Sequence, residues 1–82
     1  MATQKRETST KSAQEILLFK KFGRRIGEYA ARRGVSIERL AYEGGVSKGY
    51  LYDLVKGKGN PSLLILYRIA SALEIPIWTL LK

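Results

Sequence analysis

From residue 12 onward, apolar residues recur at spacings of three and four, and no segment alternates with period two for long enough to make a strand. The chain therefore reads as all-helical. Ile16, Phe19, Phe22, Ile26, Tyr29 and Ala30 mark one face of a first helix. Ser12 and Glu15 have the spacing of a capping box at its start, while Arg32, Arg33 and Gly34 suit its negative end and its stop. Gly23 lies inside this helix and is expected to weaken or bend it. Ser36 caps a short second helix with Ile37, Leu40 and Ala41 inward, halted by Gly44-Gly45. Ser47 caps a third, with Leu51, Leu54 and Val55 inward, which ends at the turn Gly57-Lys58-Gly59-Asn60-Pro61. A fourth helix starts at Pro61 or Ser62 and runs through Leu63, Leu66, Ile69, Ala70 and Leu73. Pro76 suits the first turn of a last helix containing Ile77, Leu80 and Leu81.

Residues 1–11 are polar and lack apolar periodicity, so they are expected to form a flexible arm ahead of a domain spanning 12–82. Eighty-two residues are too few to enclose a second core. The longest apolar run, Leu63 to Tyr67, is far too short to span a bilayer, and the N-terminus lacks the apolar centre of a signal peptide. A cytoplasmic location is the expectation.

Charge and composition narrow the chemistry. Fifteen Lys and Arg against seven Asp and Glu leave a net charge of +8, which favours polyanionic partners through phosphate neutralisation and counterion release. The absence of cysteine excludes disulfides and thiolate metal sites, and the absence of histidine removes the commonest general base. No acid–base constellation is visible, so neither an enzyme nor a cofactor is expected.

The second and third helices make a unit. Two short helices meeting steeply need a residue with positive φ at the corner, and Gly45 is placed there, with Val46 as the apolar plug beneath. With Leu40 and Ala41 facing Leu51 and Leu54, the third helix turns Ser47, Lys48, Gly49, Tyr52 and Asp53 outward near its N-terminal end. A helix entering the major groove N-terminus first presents such positions to bases and phosphates.

From Phe22 to Leu81 the chain resembles the phage-repressor/Cro-type helix-turn-helix proteins, the XRE family. The resemblance rests on Phe22-Gly23, Ile26, Gly34-Val35-Ser36, Leu40-Ala41, Gly45-Val46-Ser47, Tyr50-Leu51, Leu54, Gly57, Asn60-Pro61-Ser62, Ile69-Ala70, Ala72-Leu73 and Leu80. It implies a five-helix, lambda-repressor-like DNA-binding domain and a transcriptional regulator, in the simplest case a repressor. It also implies that the stretch GGVSKGYLYDLVKG, residues 44–57, meets double-stranded DNA. By the same resemblance Lys48, Gly49, Tyr52 and Asp53 are base-reading positions, and Ser36, Ser47, Tyr50, Lys56 and Lys58 lie against the sugar-phosphate backbone. Lys48 suits guanine acceptors, and Asp53 suits a cytosine amine or, equally, the role of a negative filter, since a carboxylate near phosphates is repelled unless it finds a donor.

Three departures from the family pattern stand out. Ile37 replaces the usual glutamine, a phosphate anchor. Ala30 and Val55 stand where many members pair an arginine with a glutamate, and losing both partners together leaves no orphan charge. Gly49 offers no side chain at a usual reading position.

Leu64, Ile65, Tyr67, Ile77 and Trp78 add more apolar surface than one small core hides, which points to a homodimer interface. The run Ile16 to Phe19 is a candidate extension of that surface. Lys20, Lys21, Arg24 and Arg25 read as a solvated basic face, and Tyr42 as a surface aromatic set against helix packing. Two other roles fit the same residues: an antitoxin that also blocks a toxin, and a protein-interaction module keeping the fold without specific DNA binding. Polymerase is a further possible protein partner.

Overall fold

The structure, a computed structural model, describes residues 12–82. The arm expected over residues 1–11 lies outside the described residues. Five helices follow in order: α1 Ala13–Arg33, α2 Ile37–Gly44, α3 Lys48–Val55, α4 Leu63–Leu73 and α5 Ile77–Leu81. There is no strand among the described residues.

Local chemistry sets most of the boundaries. The Ser12 hydroxyl accepts from the Glu15 amide (3.1 Å) while the Glu15 carboxylate accepts from the Ser12 amide (3.0 Å), the reciprocal pairing expected. Ser36, Ser47 and Ser62 each accept from the amide three residues on, so four of the five helices open with a serine cap. Gly34 and Gly45 close α1 and α2 in the left-handed conformation, at φ 76° and 71°. Pro76 stands one place earlier than expected, as the N-cap of α5 and not inside its first turn.

The end of α4 was not legible. Glu74 closes that helix at φ 62°, and it is the one non-glycine with positive φ among the described residues. Its amide donates to Ala70 and Ser71 carbonyls, so the closing bonds of a glycine cap are formed by a residue that adopts this conformation at a cost.

Ile26, Leu40, Leu51, Ile69 and Leu80 are the large side chains wholly removed from solvent, one from each helix, and they meet at the centre of the bundle. Phe22 and Ala30 of α1 are buried too, but the expected inward face of α1 begins only there. Ile16, Leu17 and Leu18 are exposed, and Phe19 is half-buried with its ring edge-on to Phe22. Tyr29 is half-buried beneath the Arg32 guanidinium, 4.9 Å from the ring centre.

Gly23 does not interrupt α1, which runs through it unbroken. Its role is spacing. A Cβ there would overlap the carbonyl oxygens of Leu54 and Val55, so the missing side chain lets the end of α3 rest on α1. The basic run divides: Lys20 and Arg24 are exposed, whereas Lys21 and Arg25 are half-buried.

Candidate nucleic-acid interface

The corner between α2 and α3 is built as expected. Gly45 takes the left-handed conformation, the Val46 amide returns to the Ala41 carbonyl (3.0 Å), and the Val46 side chain packs against the core. Ser47 then caps α3 through the Tyr50 amide. Leu51 and Leu54 anchor α3 inward, and Lys48, Gly49, Tyr52, Asp53 and Lys56 stand exposed on its other side. Lys58 is exposed in the following turn, where its amide donates to the Asp53 carbonyl (2.8 Å) and folds the loop back onto α3. Ser36 and Ser47 are exposed at the heads of their helices. Tyr50 differs from the rest of its set, being half-buried and packed against the core.

The three departures acquire a physical reading. Ile37 is half-buried against the core, so the position held by a phosphate-binding glutamine in the family contributes packing here. Ala30 is buried and Val55 half-buried, so apolar contact stands where the family's ion pair would be. Gly49 has no atom of another element within 4 Å of where a Cβ would sit, leaving open space at a position expected to read bases.

Tyr52 does not project free. Its hydroxyl donates to the Glu38 carboxylate at 2.7 Å, tying the middle of α3 to the first turn of α2. This bond holds the Glu38 carboxyl below its ordinary value, helped by its own backbone amide and by the charge of Lys48, and it raises the Tyr52 phenol. Glu38, Lys48 and Tyr52 thus form one electrostatic unit on the exposed face. Sequence reasoning missed Glu38 because its partner is fourteen residues away.

A second network braces the back of α2. The Glu43 carboxylate accepts from Arg33 (2.8 Å) and from Arg39 (2.9 Å), and Arg33 also reaches Glu74 (3.3 Å). The hydrogen bond from Arg33 is the main reason that the Glu43 carboxyl lies below its ordinary value, with Arg39 next. Only the Arg39–Glu43 pair, at i and i+4, carried a signal in the sequence.

The apolar residues expected at an interface separate into two groups. Leu64, Tyr67 and Trp78 are open to solvent at 56%, 58% and 64% of their surface, and Leu63 and Leu81 are exposed beside them in the sequence. Ile65 and Ile77 are half-buried and packed against the core. Tyr42 is 84% exposed, so it gains little from helix packing. No helix among the described residues is long and apolar enough to cross a membrane.

Comparison with known proteins agrees with this geometry. Residues 26–77 match the family model HTH_3, Helix-turn-helix. The chain is 43% identical over 56 residues to the HTH-type transcriptional regulator SlrR of Bacillus subtilis (strain 168), covering 67% of this chain and 37% of that protein. It is 35% identical over 61 residues to the HTH-type transcriptional regulator SinR of Bacillus licheniformis, covering 73% and 55%. The matched part is thus about half, or less, of these relatives' length. Among solved structures, the restriction-modification controller protein C.AhdI from Aeromonas hydrophila superposes with a TM-score of 0.74 at 34% identity, over 76% of this chain and 94% of that one. The biofilm master regulator SinR, solved in complex with DNA, superposes with a TM-score of 0.71 at 34% identity, over 74% and 98%. With the match running from the fully buried Ile26 to the head of α5, the chain belongs to the helix-turn-helix family of XRE-type regulators and carries its lambda-repressor-like, non-enzymatic fold.

Proposed function

We propose that this protein binds DNA sequence-specifically as a homodimer on a two-fold operator and regulates transcription, in the simplest case by occluding a promoter. The observation that carries this reading is the split character of α3. Leu51 and Leu54 lock one side into the core, while Lys48, Gly49, Tyr52 and Asp53 stand exposed on the other. A short helix so held, with its capped N-terminus outward, has the geometry for insertion into a major groove. Lys56 and Lys58 at its far end supply charge for the flanking phosphates, and the net charge of +8 supplies the long-range attraction. SinR, similar over most of this chain, was solved on DNA.

The dimer reading rests on the open apolar surface of Leu64, Tyr67 and Trp78. A two-fold pair would set its half-sites about one helical turn apart, ~34 Å. Selection of bound duplexes from a random pool tests the proposal: an enriched palindrome with that spacing is expected. Failure to enrich any motif, with random duplex bound as tightly as selected duplex, overturns it.

A further inference from the structure

We propose that Glu38 is a specificity-determining residue: by holding the Tyr52 phenolic proton it leaves the hydroxyl oxygen to face DNA as an acceptor only, so Tyr52 selects an exocyclic amine. The inference rests on the DNA-reading role proposed above for α3.

The chemistry follows from the inventory of a phenol. A tyrosine hydroxyl has one proton to donate and lone pairs with which to accept. A free hydroxyl turns to suit its partner and so discriminates poorly between donors and acceptors. Here the proton is committed to the Glu38 carboxylate at 2.7 Å, a short bond to a charged acceptor. Tyr52 still keeps 37% of its surface exposed, and Glu38 is exposed beside it. Hydrogen-bonding capacity left on the oxygen is acceptor capacity. In the major groove the donors are the amines of adenine and cytosine, while guanine and the thymine carbonyl present acceptors. Lys48, a pure donor whose charge acts on Glu38, complements this by taking guanine acceptors. The pair would then read opposite chemistries side by side, with Glu38 setting the polarity of one of them without touching a base.

The test is selection from a random duplex pool with the full chain, comparing wild type, Glu38→Ala, Glu38→Gln and Tyr52→Phe. Wild type is expected to favour adenine or cytosine at one position of each half-site by about 5-fold or more, the lower end of a single good base contact. Glu38→Ala frees the proton and should flatten that one position, or turn it toward guanine or thymine, with the rest of the motif kept. Tyr52→Phe should flatten the same position, and Glu38→Gln, whose amide oxygen still accepts, should preserve it. A Glu38→Ala protein that binds all sequences more tightly with its motif unchanged shows only the loss of a negative charge, and overturns the inference while sparing DNA reading by α3. If Glu38→Ala fails to fold, Tyr52→Phe decides, and a motif identical to wild type overturns the inference. If wild type enriches no motif, the proposed function fails and this inference fails with it.

Discussion

Gly23 of α1 lies directly under the Leu54 carbonyl at the end of α3, close enough that a Cβ would overlap it. The C-terminal end of α3 is therefore seated on α1 by backbone contact, and neighbouring glycines of one helix differ sharply in what they tolerate. Gly23→Ala is expected to destabilise by about 1–3 kcal/mol, since the obstructing atoms are backbone. At Gly27 the added Cβ would meet only the Val55 side chain at 3.7 Å, an ordinary contact. Gly27→Ala should thus stabilise by up to about 1 kcal/mol through helix propensity. Urea unfolding followed by circular dichroism distinguishes the two, and equal effects would contradict the packing described.

Glu74 closes α4 in a conformation that suits glycine. Glu74→Gly is expected to stabilise by about 0.5–1 kcal/mol, the relief of left-handed strain less the flexibility gained by the unfolded chain. The ion pair it forfeits with Arg33 is long and solvated, with the Glu74 side chain 73% exposed, so its loss subtracts little. Glu74→Ala keeps the strain and loses the pair, and should show no gain. Thermal melts of the three proteins provide the comparison.

Acid sensitivity follows from Glu43. Its folded pKa is depressed, mainly by the Arg33 hydrogen bond and then by Arg39. A depressed carboxyl contributes stability above its unfolded value, and that contribution is lost as pH falls through the folded value. The midpoint of thermal unfolding should therefore begin to drop below the ordinary value of 4.5. Arg33→Ala should be less stable than wild type at neutral pH, and the gap should narrow as the solution is acidified. High salt should shrink the gap as well, because the groups are exposed to solvent. Melting curves across pH at two ionic strengths check both.

The basic residues of the α3 region should separate by role. Lys48→Ala is expected to relax base preference at one position, by about 1–3 kcal/mol. Lys58→Ala should weaken binding to all sequences alike and reduce the steepness of the salt dependence by about 0.9, the increment for one phosphate. Salt titrations on selected and scrambled duplexes measure both quantities.

For self-association, Leu64→Glu and Trp78→Glu are the informative changes, because both side chains are open while Ile65 and Ile77 also serve the core. Sedimentation should give a dimer for wild type at high micromolar concentration and a monomer of unchanged helicity for either variant. A wild-type monomer at that concentration, with Trp78 fluorescence indifferent to dilution, counts against the dimer.

The helices were legible because the signals for them act within a few residues. A serine accepts from the amide three places on, a glycine ends a helix by its own φ, and Leu51 and Leu54 share a face by periodicity alone. The same short-range logic, with the family pattern, was enough to place Lys48, Gly49, Tyr52 and Asp53 on the outer side of α3. Tertiary structure decided what depends on residues far apart in the chain. It made Gly23 a point of close approach, turned Ile65 and Ile77 toward the core, and imposed a glycine-like conformation on Glu74. It also brought Glu38 to the Tyr52 hydroxyl and Glu43 to Arg33. Periodicity assigns a side chain to a face of its own helix, but contact and committed protons depend on how that helix is set against the others.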